Sequence, residues 1–159
     1  MRVSPVVTNR IVFVLSLAGC GVSTYLTLAH LNVVELRCGA SHGCEDVAAH
    51  WSAHGFGIPG LQAIPTAAFG ILMYLALAGL SMSRVASGSQ EAAMKASRMQ
   101  AVIATVALLT TGFLTYLEAF VIHAWCQWCL ASAAIILMIF LTACVEQSAA
   151  RPADEGAIA

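Results

Sequence analysis

The chain has 159 residues, 60% of them hydrophobic and only 9% charged, with a mean hydropathy of +0.85, whereas soluble globular domains carry about 25% charged residues. Seven Lys and Arg against eight Asp and Glu leave a net charge of -1, which excludes a basic surface for nucleic acid. A soluble enzyme is excluded as well, and a small polytopic membrane protein is the expectation.

Arg2 and Arg10 precede an uncharged run from Ile11 to Val34. A bilayer is crossed by about 20 apolar residues, so a first span is read over 11–33. Leu17-Ala18-Gly19-Cys20 resembles a lipoprotein signal box, but the segment stays apolar through Leu28, as an uncleaved span does. A loop over 34–61 follows, in which Val47, Ala48, Trp51, Phe56 and Ile58 suggest a short amphipathic segment on the membrane surface. That segment reads as an anchor and as a cap over whatever lies beneath it. Further spans are read near 62–83, 99–121 and 126–145, with Pro65 as a first-turn proline and Ser87-Gly88-Ser89 as a turn. The small, polar tail 146–159 reads as disordered. Residues 1–145 thus form one all-α four-helix membrane bundle, since each span satisfies its own backbone hydrogen bonds in lipid.

The positive residues orient it. Arg2, Arg10, Arg84, Lys95, Arg98 and Arg151 fall on one side and only Arg37 on the other. The positive-inside rule makes the first side cytoplasmic, with both termini. The 34–61 loop and the short 122–125 connection then face outward.

Six cysteines are distributed over this plan. Cys38 and Cys44 lie in the outward loop, and Cys126 and Cys129 form a C-x-x-C at the outer end of the fourth span. Both pairs stand on the oxidising side, where disulfides persist. Gly39 and Gly43 give the loop freedom to close a small ring. So short a ring is a poor staple, and an exposed pair in a mobile loop suits exchange. Cys126 and Cys129 share a helix face, with Cys126 at the helix N-terminus where the macrodipole favours thiolate. Two such pairs can relay electrons by mixed-disulfide exchange. No haem, flavin or iron–sulfur motif is visible, so the simplest sink is a lipid-soluble acceptor, and a quinone fits.

At these residues the chain resembles bacterial members of the vitamin K epoxide reductase family, from about Ile11 to Ala143. The resemblance rests on the loop cysteines, Cys44-Glu45-Asp46-Val47, the Gly57-Ile58-Pro59 turn and Ile64-Pro65-Thr66-Ala67-Ala68-Phe69-Gly70. Tyr116-Leu117-Glu118 and Cys126-Gln127-Trp128-Cys129-Leu130-Ala131-Ser132-Ala133 complete it. It implies a quinone-dependent thiol oxidoreductase of the bacterial inner membrane that makes disulfides in a thioredoxin-like (DsbA-like) periplasmic partner. Cys38 would exchange with the partner, Cys44 with Cys126, and Cys129 would pass electrons to ubiquinone or menaquinone. Thr66, Phe69 and Glu118 join Cys129 as the expected quinone-side residues. Only the tail follows the last span, so the partner is expected as a separate chain rather than a fused domain. Two positions depart from the family: His50 stands where a Ser or Thr is usual, with Ser52 nearby, and Ala133 replaces the tyrosine of animal relatives.

Other residues carry plainer readings. Cys20 and Cys144 read as small buried hydrophobes. Trp125 and Trp128 read as interfacial belt residues before ring-stacking ones. Glu118, near the outer end of the third span, is either solvated at the interface or functional, because quinone reduction consumes protons. His42, His50 and His54 beside Cys38 and Cys44 raise a metal-binding or metal-transport protein as the alternative, although structural zinc sites use tighter, matched spacings. A DsbB-type oxidase carries its two pairs in the opposite order. A structural membrane subunit would tolerate Ser at all four outward cysteines.

Overall fold

The computed structural model describes residues 4–39 and 43–150. Pro5 opens α1 (Pro5–His30), where its fixed φ and missing N–H suit the first turn. In the loop that follows α1, α2 (Cys44–Ala49) is followed by two single 3-10 turns, Trp51–Ala53 and Gly55–Gly57. Helix α3 covers Thr66–Ala86, with Pro65 as the residue just before it rather than within its first turn. The Ser89 hydroxyl caps α4 (Gln90–Leu117) by accepting the Ala92 N–H. A π-helical turn, Glu118–Ile122, ends that rod, and left-handed His123 reverses the chain into α5 (Gln127–Ala150).

Four of these helices are long and apolar enough to span a membrane, and they form a four-helix bundle. Helix α1 packs on α3 and α5, and α4 packs on the same two, so α1 and α4 lie diagonally opposite. Small residues permit the approach. A Cβ on Gly19 would fall 2.2 Å from the Tyr74 ring. Fully buried Tyr74 crosses that gap and donates its hydroxyl proton toward Ser132, whose carbonyl and hydroxyl oxygens stand 3.1 and 2.8 Å away, joining α1, α3 and α5. Leu77, Ile136 and Ile139 complete a core from which water is excluded, while Leu72, Val85, Val102 and Leu109 point outward in the way lipid-facing side chains do.

The helices outrun the expected spans wherever polar residues find partners. Helix α5 continues through Glu146 to Ala150, although 146–159 reads as a disordered tail from sequence; residues beyond 150 lie outside the described ones. Glu146 pairs there with Arg84 of α3 and accepts hydrogen bonds from Ser97 and Thr8. Arg84 also donates to Gln100, which donates in turn to Ser81. This network ties all four long helices at the end opposite Cys44, Cys126 and Cys129. Its charges are largely shielded from solvent, so the carboxylate is what makes Arg84 tolerable there.

Candidate active site

Gly43, Cys44 and α2 bring the loop between α1 and α3 down onto the start of α5. A Cβ on Gly43 would lie 2.7 Å from the Trp125 nitrogen and 3.0 Å from the Ala124 methyl. Gly43 itself has ordinary helical angles (φ -77). What the position requires is therefore the missing side chain rather than ring-closing freedom. The close approach carries Cys44 into a cluster with Cys126, flanked by Cys38 and Cys129. Cys44 and Cys126 are 1% and 2% exposed, and Cys38 and Cys129 are half-buried. None of the six cysteines is in a disulfide.

Cys44 is thus buried, where the sequence suggests an exposed pair. Cys44 is sealed by Val47, Leu26 and Ile122, and only Cys38 reaches the surface. Burial, with the Cys38 side chain as hydrogen-bond partner, pushes the Cys44 thiol up to about 12. Its thiolate is scarce at neutral pH, so it is a poor nucleophile until a disulfide leaving reaction generates its sulfur as an anion.

The four thiols follow one another as neighbours. Cys44 touches Cys38 and Cys126, Cys126 touches Cys44 and Cys129, and Cys129 touches Cys126 and Glu118. The Cys129 N–H points at the Cys126 sulfur at 3.3 Å, which supports charge on that sulfur when it attacks or leaves.

Trp128 has a role that a sequence reading misses. Its indole N–H donates to the Arg37 carbonyl at 2.9 Å, and its ring packs on Tyr25 at 4.7 Å. Tyr25 accepts from the Arg37 N–H at 2.8 Å. Gln127 donates to the same Arg37 carbonyl at 3.3 Å, so both residues between the cysteines of the C-x-x-C hold the segment that carries Cys38. Trp125 is 45% exposed and makes no such contact among those described.

Beneath the cluster lies a cavity of about 470 Å³, within the range of small-molecule sites. Cys44, Cys126 and Cys129 stand in its wall, as do Thr66, Phe69 and Glu118. Val102 and Val106 also line it, and both belong to the exposed outer face of α4. The cavity therefore opens sideways at the surface that lipid covers. Its lining is mostly apolar, with the thiols at the loop end, which fits a flat, lipid-soluble acceptor.

The loop roofs this cavity. Val47, Ala48 and Phe56 line it from above, as the expected cap does, while Trp51 and Ile58 turn outward. Thr66 fastens the roof: its hydroxyl donates to the Ser52 carbonyl at 2.6 Å and accepts from the Phe56 N–H at 3.1 Å. That hydroxyl proton is committed to the roof rather than aimed into the cavity. Phe56 sits at φ 56 between two glycines also at positive φ, a strained position for a side-chain-bearing residue, and packs on Phe69. Ser52 lines the cavity and His50 caps it from behind, Nδ1 to Oγ 2.9 Å. His54 meets His30 of α1 at 3.2 Å, a link with no sequence signal.

Glu118 is 2% exposed, not solvated at an interface. Its carboxylate accepts the Cys126 N–H at 3.1 Å. Cys144 is exposed rather than buried, and Cys20 packs half-buried against the central core, apart from the thiol cluster. Among the described residues, no three His, Cys, Asp or Glu side chains converge as a metal-ligand set; His42 lies outside them. A model of the Vitamin K epoxide reductase family matches residues 10–144, and no curated protein matches the chain.

Proposed function

The chain belongs to the vitamin K epoxide reductase family, a family of membrane oxidoreductases, and on that premise we propose that it oxidises the dithiol of a thioredoxin-like protein and delivers the electrons to a membrane quinone. The observation that carries this reading is the unbroken file of thiols from half-exposed Cys38, through buried Cys44 and Cys126, to Cys129 in the wall of a laterally open apolar cavity. The positive residues support an extracytoplasmic cysteine cluster with both termini in the cytoplasm.

In the resting oxidised enzyme each pair is a disulfide. A thiolate of the partner attacks Cys38, and Cys44 leaves as thiolate. Cys44 attacks Cys126, breaking the Cys126–Cys129 bond. The partner's second thiol displaces Cys38 and closes the partner's disulfide. Cys38 then attacks Cys44 and releases Cys126, which restores the loop disulfide and leaves the embedded pair as a dithiol. Cys129, Phe69 and the α4 wall would hold a quinone, which would supply a sink for two electrons and two protons. The net change is one partner dithiol to disulfide and one quinone to quinol. The roof over Thr66 excludes water, which protects the exchanging sulfurs from side reactions.

With Cys44 and the partner's second cysteine both removed, no thiol is left to displace the partner from Cys38. Cys44→Ala mixed with a single-cysteine thioredoxin-like protein, and with diamide to take the two electrons and two protons, is expected to accumulate a mixed disulfide through Cys38, seen as a dithiothreitol-sensitive adduct by non-reducing electrophoresis and mass spectrometry. An adduct that forms equally in Cys44→Ala/Cys38→Ser would contradict the assignment of Cys38.

A further inference from the structure

The relay accounts for every sulfur at the site but leaves one buried charge without a task. Glu118 is the carboxylate in the cavity wall, 2% exposed. It is delivered there by the π-helical turn Glu118–Ile122, a departure from regular helix of the kind that often marks functional positions. One oxygen accepts the Cys126 N–H at 3.1 Å, and the carboxylate faces the Cys129 sulfur. A carboxylate sealed from water is costly unless it is partnered. A helix cap alone is satisfied by an uncharged acceptor such as Asn or Ser.

We propose that Glu118 is the proton carrier of the embedded cysteine pair: its carboxylate takes the Cys129 thiol proton as the pair is oxidised and hands that proton to the two-electron acceptor in the cavity. This rests on the thiol-to-quinone reading and deepens it. As the embedded pair is oxidised, the Cys129 S–H and Cys126 S–H bonds break and the Cys126–Cys129 S–S bond forms. Two electrons pass to the acceptor. One proton travels by way of the Glu118 O–H and the other comes from Cys126, so the acceptor becomes its dihydro form and the carboxylate is regenerated. The titratable groups that face Glu118 are Cys126 from the connection and Cys129 from α5, with Cys44 of α2 and His30 of α1 elsewhere in the same wall.

The test uses the reduced full chain, depleted of quinone, and diamide, which takes the same two electrons and two protons. Closure of the Cys126–Cys129 disulfide is followed by mass spectrometry of alkylated peptides between about pH 6 and 8. The wild-type rate is expected to change by less than about threefold over that range, because the base is internal. In Glu118→Gln, which keeps an oxygen for the Cys126 N–H, the rate is expected to fall about tenfold per pH unit toward acid, as solvent base takes over. Glu118→Asp is expected to keep the shallow profile and covers the case in which the glutamine variant does not fold. An unchanged profile in Glu118→Gln, a uniform slowing at all pH, or a steep profile in Glu118→Asp each overturns the proposal. Because no quinone is present, these failures leave the quinone reading standing. That reading fails separately if Cys129→Ala retains quinone-dependent oxidation.

Discussion

Cys126→Ala and Cys129→Ala are each expected to lower quinone-dependent oxidation of a thioredoxin-like dithiol at least about 10³-fold, equivalent to about 4 kcal/mol of barrier. The effect is so large because either change removes the embedded disulfide, leaving Cys44 no S–S bond to attack. It differs from a folding defect in a measurable way. Cys126 is a small buried residue within a compact cluster, so alanine leaves the packing nearly filled and costs little stability. Cysteine replaced by alanine at Cys20 or Cys144, both apart from the cluster, is expected to leave the rate within about twofold of wild type. Steady-state quinol formation measured on all four variants separates these outcomes.

Gly43→Ala is expected to cut partner oxidation about 100-fold while the Cys126–Cys129 pair still reacts with quinone at its native rate. The added Cβ would fall 2.7 Å from the Trp125 nitrogen and 3.0 Å from its carbonyl oxygen. Those are backbone atoms that cannot rotate aside, so the α2 end must shift outward, taking Cys44 with it. Displacing a reacting atom by about 1 Å costs on the order of 10²-fold. Single-turnover thiol loss with quinone alone, set beside steady-state turnover with the partner, reads the two halves of the relay independently. Equal loss in both assays would mean that Gly43 serves folding and not the meeting of Cys44 with Cys126.

The four spans are legible in the gaps between charges, because lipid tolerates few charged residues and the gaps are wide. Their ends are less so. Gln90–Arg98 is polar enough to look like loop, yet Ser89 caps it and Glu91 pairs with Lys95, so α4 extends beyond its apolar stretch. Glu146 looks like tail until Arg84, 62 positions away in sequence, is seen beside it. The clustering of Cys38, Cys44, Cys126 and Cys129 is legible because the topology expected from the charges places both pairs at one end of the bundle. The burial of Cys44 is not, since it depends on a backbone approach at Gly43 that only the folded loop reveals. Glu118 lies one turn before a chain reversal whose π-helical geometry and left-handed His123 have no sequence signature. Trp128 looks like an interfacial aromatic because its hydrogen bond ends on a backbone carbonyl, which any residue at position 37 would supply.

The central claim is that the four clustered thiols and a quinone exchange electrons in fixed proportion. Its most direct test is anaerobic titration of the fully reduced protein with ubiquinone or menaquinone in lipid nanodiscs, counting free thiols by mass spectrometry and quinol by absorbance. The expected result is one quinol for each disulfide formed, confined to Cys38, Cys44, Cys126 and Cys129, with Cys20 and Cys144 still reduced. Quinol absent, or thiols lost without matching quinol, would contradict it.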